Sequence, residues 1–168
     1  MNRPIPLGHA TPKVALVFGA LIAALGSSLF LLVSVKAAFW SAFSVLFYVL
    51  VYSMWLKRRT PQNIVIGGLA GSTPPLIGWA AAAGDSIAGS NMLDLGSPVP
   101  WMLFFLIFLW TPPHFWALAL YRSGEYGKVN IPMMNEVKGA HHTLFQSKAY
   151  CFLLFLLGSV PCLSLIHI

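Results

Sequence analysis

The chain has 168 residues, of which 58% are hydrophobic and only 8% are charged, and its formal net charge is +6. About a quarter of the residues in an ordinary soluble domain are charged, so this composition excludes a water-soluble globular fold, a disordered linker and a nucleic-acid-binding domain. In so apolar a chain, the excess of basic residues is best interpreted as a signal that orients the protein in a membrane.

Five charge-free stretches of the chain are long enough to cross a bilayer, which takes about 20 mostly apolar residues. The predicted spans are residues 14–35, 37–56, 62–84, 99–121 and 149–168. The first two spans are separated by Lys36 alone, and residues 122–148 are predicted to form a polar loop. The pattern predicts an all-α, polytopic transmembrane helix bundle that is a single membrane domain over residues 1–168.

Both ends of the chain resemble the interior of a longer protein. The opening, MNRPIPLGHATPK, has no small-residue cleavage site of the kind that ends a secretory signal. The last span stops at Ile168 without a polar flank. We therefore expect a fragment, truncated at both ends, of a larger polytopic protein.

The distribution of basic residues predicts the orientation of the spans. If the N-terminus is cytoplasmic, nine of the ten Lys and Arg residues fall on the cytoplasmic side, and only Lys36 falls on the other. Cytoplasmic loops of membrane proteins carry such an excess of Lys and Arg. The N-terminus and the loop 122–148 are thus predicted to be cytoplasmic.

Two of the spans contain proline pairs near their middle, Pro74-Pro75 in the third and Pro112-Pro113 in the fourth. Each proline removes a backbone donor and clashes with the preceding turn. Broken helices are tolerated in a membrane where they are buried in protein or line a cavity. We predict that both spans are broken and that they border an internal polar cavity.

His114 follows the second proline pair and is the candidate catalytic group within a span. An ionisable residue inside a membrane helix is costly and therefore points to function. A haem ligand, a proton relay and a substrate-orienting donor all fit an imidazole. The alternative is a neutral ring that is hydrogen-bonded to a carbonyl freed by proline.

Polar residues gather on the predicted cytoplasmic side. If the fourth span continues as a helix, Tyr121, Arg122 and Glu125 share one face with His114. The cluster Lys57-Arg58-Arg59 follows the second span, and by itself it is an orientation anchor. Beside Arg122 and Lys128 it would form a cationic rim suited to a diphosphate. Glu125 would offer Mg²⁺ a hard oxygen ligand.

Two stretches carry a resemblance to a known family: YSMWLKRRTPQNIVIGGLAGSTPPLIGW and WTPPHFWALALYRSGEYGKVNIPMMNEVKG. They resemble the haem-farnesylating branch, the protohaem IX farnesyltransferases, of the UbiA-type membrane prenyltransferases. The resemblance implies a bundle of nine spans around a central cavity, of which this chain would be about the third to the seventh. It also implies farnesyl diphosphate and protohaem IX (haem B) as substrates, haem O as product for cytochrome oxidase assembly, and Mg²⁺ as cofactor.

Carried over position by position, the resemblance also implies site residues. Tyr121, Arg122, Glu125 and Tyr126 fall on the second acidic motif of the family, Pro113 and His114 on its Pro-His pair, and Lys57 and Arg58 on its basic loop. The implied catalytic residues are His114, Arg122 and Glu125, with Glu125 as the Mg²⁺ ligand. The implied diphosphate-binding residues are Lys57, Arg58, Asn63, Arg122, Tyr126 and Lys128. Trp110, Phe115 and Trp116 are candidates for lining the prenyl tunnel.

The chain departs from the family pattern in two ways. Glu125 stands where the family usually has Asp, and the first acidic motif would lie upstream of Asn2. We therefore expect little activity from this chain by itself. The implied location is the bacterial cytoplasmic (inner) membrane, with the lipid bilayer as surroundings and haem A synthase or oxidase assembly proteins as candidate partners.

The residues taken alone leave other classes open. Secondary transporters also build sites from broken helices, although the four acidic residues here flank helices or lie in loops. A haem-binding subunit would need facing axial histidines, and apart from the terminal His167 only His114 lies deep in a span. Within the family resemblance, the alternative is another UbiA-type prenyltransferase.

Overall fold

The computed structural model describes residue 5 and residues 7–9, 11–84, 91–122 and 131–165, with side chains up to residue 160. The described residues form helices and connecting segments and contain no β-strand. In chain order the α-helices are α1 (Pro12–Leu29), α2 (Val35–Leu46), α3 (Asn63–Gly71), α4 (Pro74–Ala83), α5 (Val99–Tyr121) and α6 (Met134–Leu165). A 3₁₀ turn, Phe30–Leu32, follows α1, and a π-helix, Phe47–Leu56, continues α2.

Within the described residues, five helical segments are long and apolar enough to cross a membrane. They are Pro12–Leu32, Val35–Leu56, Asn63–Ala83, Val99–Tyr121 and Met134–Val160. The predicted all-α polytopic bundle is thus confirmed.

The predicted break in the third span is confirmed at Ser72 and Thr73, which separate α3 from α4. Both residues are fully buried, and their hydroxyl groups donate to the carbonyls of Leu69 at 2.9 Å and Ala70 at 2.8 Å. Pro74 and Pro75 then occupy the first positions of α4, where a missing N–H costs nothing. The side chains therefore satisfy backbone groups that the break would leave unpaired.

The predicted break in the fourth span is wrong, because α5 runs without interruption through Pro112 and Pro113. Both prolines are buried within the bundle. The hydroxyl group of Thr111 donates to the carbonyl of Ile107 at 2.7 Å. That carbonyl is not one that the prolines deprive of a donor, so the contacts of the buried prolines with neighbouring helices are what can compensate for the donors removed from this membrane helix.

The predicted loop at residues 122–148 is wrong over its second half, because α6 begins at Met134. This helix is interrupted once, at Gly139, whose φ of 81° is readily adopted only by glycine. Its first turns carry exposed charged and histidine side chains, including Glu136 and His141. The sequence-based boundary followed the charge-free stretch, whereas the helix extends beyond it.

A short loop closes the end of the bundle where α2 begins and α4 ends. Four side chains donate to four consecutive carbonyls of this loop, residues 92–95, and we call the arrangement the loop clamp. The indole N–H groups donate at 3.1 Å each: Trp40 to Met92, Trp101 to Leu93 and Trp79 to Leu95. The Lys36 ammonium, on a side chain that is only 5% exposed, donates to the Asp94 carbonyl.

Candidate active site

The opposite end of the bundle brings together three segments, residues 57–64, 119–122 and 131–135, and we call it the basic end. The first segment follows the π-helix and starts α3, the second ends α5, and the third starts α6. Three buried side chains from these segments pack in one cluster: Ile64, Ala119 and Met133. The basic cluster after the second span and the end of the fourth span are therefore neighbours in the fold, as the cationic-rim hypothesis requires.

Lys57 is half-buried, and its ammonium lies 5.9 Å from the centre of the Tyr52 ring. A cation at such a distance is attracted by the face of an aromatic ring. The Tyr52 ring itself packs against Gly67 so closely that a Cβ atom there would lie 2.3 Å from the ring carbon Cδ2. The glycine therefore makes room for the ring beside which the ammonium sits.

Asn63 is the first residue of α3 and is 0% exposed. Its side-chain nitrogen donates to the carbonyl of Lys57 at 3.1 Å and to the carbonyl of Pro132 at 3.5 Å. The family resemblance assigned this residue to diphosphate binding. In the fold, its N–H groups are engaged by two backbone segments, and only its oxygen has no partner.

Asn135, which the sequence did not single out, has a parallel role at the start of α6. Its side-chain nitrogen donates to the carbonyl of Ala119 at 3.2 Å. Among the described residues, three buried polar side-chain atoms have no hydrogen-bond partner: Asn63 Oδ1, Asn135 Oδ1 and Trp116 Nε1. Buried polar atoms are nearly always paired, so the two unpaired amide oxygens distinguish the basic end. The only sequence signal for Asn135 is an amide shortly after Pro132.

His114 lies on the exposed side of α5 rather than in the packed interior. Its ring stacks on Trp110, with centroids 4.2 Å apart and planes at 16°, and meets the edge of Phe115 at 5.5 Å. Trp116, a third candidate for the prenyl tunnel, is instead fully buried. Arg122 follows His114 by eight positions, which is about 12 Å along a helix axis.

Three of the predicted site residues, Glu125, Tyr126 and Lys128, lie outside the described residues. Two others, Arg58 and Arg122, have exposed side chains at the basic end. Arg122 caps α5, and its backbone N–H donates to the carbonyl of Leu118 at 3.0 Å. The described part of the site is thus cationic.

The described residues do not by themselves suit Mg²⁺. Within them, no group of three or more His, Cys, Asp or Glu side chains comes together in a way that could hold a metal ion. Two carboxylates are described: Asp94 lies in the clamped loop, and Glu136 is exposed at the start of α6. Mg²⁺ prefers carboxylate and phosphate oxygens, so Glu125 remains the candidate ligand.

Comparison with known proteins gives consistent matches. The model of the UbiA prenyltransferase family matches residues 1–168. The chain is 49% identical, over 161 residues, to "Protoheme IX farnesyltransferase" of Parvibaculum lavamentivorans. The aligned residues make up 95% of this chain and 48% of the relative. It is 51% identical, over 161 residues, to "Protoheme IX farnesyltransferase 1" of Mesorhizobium japonicum. The aligned residues make up 95% of this chain and 49% of that relative.

A third relative, the "Protoheme IX farnesyltransferase" of Symbiobacterium thermophilum, is 47% identical over 153 residues, 91% of this chain and 48% of the relative. No solved structure matches the chain. The chain spans about half the length of the relatives it matches.

Proposed function

This chain belongs to the UbiA prenyltransferase family, and we propose that it forms the diphosphate-binding half of a protohaem IX farnesyltransferase, also called haem O synthase. With five apolar helices it is an integral membrane protein. The proposed reaction transfers the farnesyl group of farnesyl diphosphate to a vinyl group of protohaem IX. The product, haem O, serves the assembly of cytochrome oxidase.

The observation that carries the proposal is the meeting of two cationic segments at the basic end. The cluster that includes Lys57 and Arg58 adjoins the end of α5, where Arg122 lies. Arg binds phosphate oxygens through two N–H groups at once, and Lys supplies a compact charge. A diphosphate is the substrate group that such a surface fits best.

The cationic groups would act on the leaving group. As the allylic C–O bond of farnesyl diphosphate breaks, its electron pair leaves with the diphosphate. Lys57, Arg58 and Arg122 stabilise the negative charge that develops there, and fixed charges of this kind usually supply a large share of catalysis. Tyr126 and Lys128 complete the proposed diphosphate site.

The farnesyl cation is then captured by the vinyl group of haem. The new C–C bond joins C1 of the farnesyl chain to the terminal vinyl carbon and leaves a cation next to the porphyrin. Water adds to this cation and loses a proton, which gives the hydroxyethylfarnesyl group of haem O.

His114 supports this proposal because an ionisable ring facing hydrocarbon is costly. The exposed face of α5, with His114 stacked on Trp110, would therefore face the substrate cavity that this chain shares with the rest of the longer protein. The flat aromatic pair offers a surface for the porphyrin. Trp110 and Phe115 remain candidates for lining the prenyl tunnel, whereas Trp116 packs against Tyr150.

Mg²⁺ dependence is part of the proposal and rests on Glu125. Mg²⁺ typically binds one or two carboxylates together with substrate phosphates, and when bound it would neutralise diphosphate charge. If so, chelation with EDTA removes activity, and added Mg²⁺ restores it. Full activity in EDTA would contradict this part of the proposal.

The location proposed for the protein is the bacterial cytoplasmic membrane, with the basic end on the cytoplasmic side. The positive-inside rule supports this orientation. Cysteine variants at Arg59 and at Leu93, in a background without Cys151 and Cys162, test it with a membrane-impermeant thiol reagent. In spheroplasts, Leu93→Cys should be labelled and Arg59→Cys protected, and the reverse pattern would overturn the orientation.

The function itself is tested in a chimera in which this chain replaces the matching segment of the Parvibaculum lavamentivorans relative. Membranes that contain the chimera are supplied with haem B, farnesyl diphosphate and Mg²⁺, and haem O is sought by chromatography and mass spectrometry. Membranes with the unmodified relative are the positive control. A chimera that inserts normally but prenylates another acceptor, or none, would contradict the assignment to haem.

A further inference from the structure

We propose that Asn63 is a positioning residue, whose side-chain amide ties the basic segment 57–59 to the segment that leads into α6. The inference rests on the proposed function for its catalytic meaning. It assigns Asn63 a role that differs from direct diphosphate binding. The amide would thereby hold the segment of Lys57 and Arg58, to which the proposed function assigns diphosphate binding, against the segment that starts α6.

The geometry supports a donor role. The nitrogen of Asn63 donates to the carbonyl of Lys57, at 3.1 Å, and to that of Pro132, which is 69 positions away in the chain, at 3.5 Å. The residue is 0% exposed, so no solvent competes with these bonds. The two carbonyls belong to different inter-helix segments, and Asn63 is the link between them.

An amide is the side chain that this arrangement requires. The NH₂ group of Asn has two N–H donors on one atom, one for each carbonyl, whereas Asp has the same size but only accepts. With Asp at position 63, a carboxylate oxygen would face two carbonyl oxygens. The isosteric change Asn63→Asp therefore removes the tie with little change in volume.

A second amide reinforces the same end. Asn135 donates to the Ala119 carbonyl at 3.2 Å, which fixes the start of α6 to the end of α5. The two amides together connect all three segments of the basic end. The segments that carry Lys57 and Arg122 are thereby held in place before a substrate arrives, which lowers the ordering cost of binding.

Asn91 provides a matched control at the other end of the bundle. This exposed side chain accepts, through its oxygen, a hydrogen bond from the backbone N–H of Leu93 at 3.0 Å. Asp keeps an acceptor at that position. The same exchange of Asn for Asp should thus disrupt position 63 and leave position 91 unaffected.

The first measurement is a distance and needs no catalysis. Spin labels are attached at Arg59→Cys and Val137→Cys, both exposed, in the chimera without its other cysteines, reconstituted in nanodiscs. We expect one narrow distance distribution in the parent and with Asn91→Asp, and a broad or shifted one with Asn63→Asp. A broad distribution in the parent overturns the inference even if the Asn63 variant fails to fold.

The second measurement separates positioning from general damage. Misplacing the basic segment should weaken its contacts with the diphosphate, so we expect the KM for farnesyl diphosphate to rise about tenfold with Asn63→Asp, which corresponds to about 1.4 kcal/mol. The KM for haem B should stay within about twofold, because the haem surface lies elsewhere on α5. Equal changes in both KM values, or an unchanged distance distribution in the folded variant, would overturn the inference. An inactive parent with the expected distances would count against the proposed function alone.

Discussion

The two ends of this bundle differ in how they use their cations and in whether their buried polar groups are paired. At the loop clamp, four side-chain donors meet four consecutive carbonyls, and the cation Lys36 is one of those donors. At the basic end, within the described residues, buried amide oxygens lack donors and cationic side chains gather at the surface. An end whose donors and acceptors are paired is suited to holding helices together, whereas an end with exposed cations is suited to receiving an anion.

A comparison of Lys36 with Lys57 shows the difference between the two ends most directly. Lys36 is 5% exposed and donates to a backbone carbonyl, so its charge has a structural partner within the fold. Lys57 is half-buried, with its ammonium beside the Tyr52 ring. An aromatic face attracts a cation but uses none of its hydrogen-bond donors. The same side chain thus serves stability at one end and is available to an anion at the other.

The largest effect should come from removing a cation at the basic end. Arg122→Ala should lower kcat/KM for prenyl transfer by about 100- to 1,000-fold, which is typical when one group that stabilises developing charge is lost. The thermal midpoint in detergent should hardly change, because the side chain is exposed.

Lys36→Met is the matched change at the clamp. It should leave turnover per folded molecule unchanged and should lower stability by about 1–3 kcal/mol, since a carbonyl loses its donor. Turnover is measured in the chimera, and stability is followed by thermal unfolding. If Lys36→Met lowers turnover and Arg122→Ala lowers stability instead, the functional contrast between the two ends is wrong.

An effect of the same size should come from the tryptophans of the loop clamp. Trp40→Phe keeps an aromatic ring but removes the donor to Met92, so it should cost about 1–3 kcal/mol of stability. Trp55→Phe, at a side chain that is 54% exposed, is the control and should stay within about 0.5 kcal/mol.

The rings also predict coupling between variants. Trp40 and Trp101 lie edge to face at 5.5 Å, so the double variant should deviate from the sum of the single ones. Unfolding curves of the two single variants and the double variant measure this deviation. Strict additivity would show that the clamp bonds act independently.

A further effect, of similar size, concerns the packing that supports Lys57. Gly67→Ala should cost about 1–3 kcal/mol, because the added methyl group would overlap the Tyr52 ring. Gly78→Ala, where nothing lies within 4 Å, should be neutral or stabilising by up to about 1 kcal/mol through helix propensity. Thermal unfolding compares the two, and equal effects would show that the ring moves aside without cost.

Much of the fold can be predicted from two features of the sequence, the apolar stretches and the prolines. The length of the apolar stretches predicts the five spans, and the third span breaks at Ser72 and Thr73 as its prolines suggest. The fourth span does not break at Pro112, because both prolines are buried against neighbouring helices, and this packing is a tertiary effect that the proline pattern does not contain. The start of α6 escaped prediction for the same kind of reason, since polar helical turns outside the apolar stretch resemble a loop.

The charged residues of the candidate site could be predicted from the sequence, whereas the residues that hold them in position could not. Lys57, Arg58 and Arg122 stand out as cations beside predicted spans, and the fold brings their segments to one end. Asn135 and the pair of Tyr52 and Gly67 did not stand out, because their roles depend on contacts between distant segments. An amide or a glycine carries no charge or periodicity that marks it in a single sequence.

The π-helix that precedes Lys57 has a consequence of its own. Its backbone bonds reach five residues back, as in the bond from the Lys57 N–H to the Tyr52 carbonyl at 2.8 Å. Each residue of an α-helix advances the direction of its side chain by about 100°, so every wider turn resets the angular phase of the residues after it. Deleting one residue from Phe47–Leu56 would leave the composition of the cationic segment intact. It would rotate that segment about the helix axis, so that its side chains point in another direction. Insertions and deletions there should therefore be far less tolerated than exchanges of one apolar residue for another.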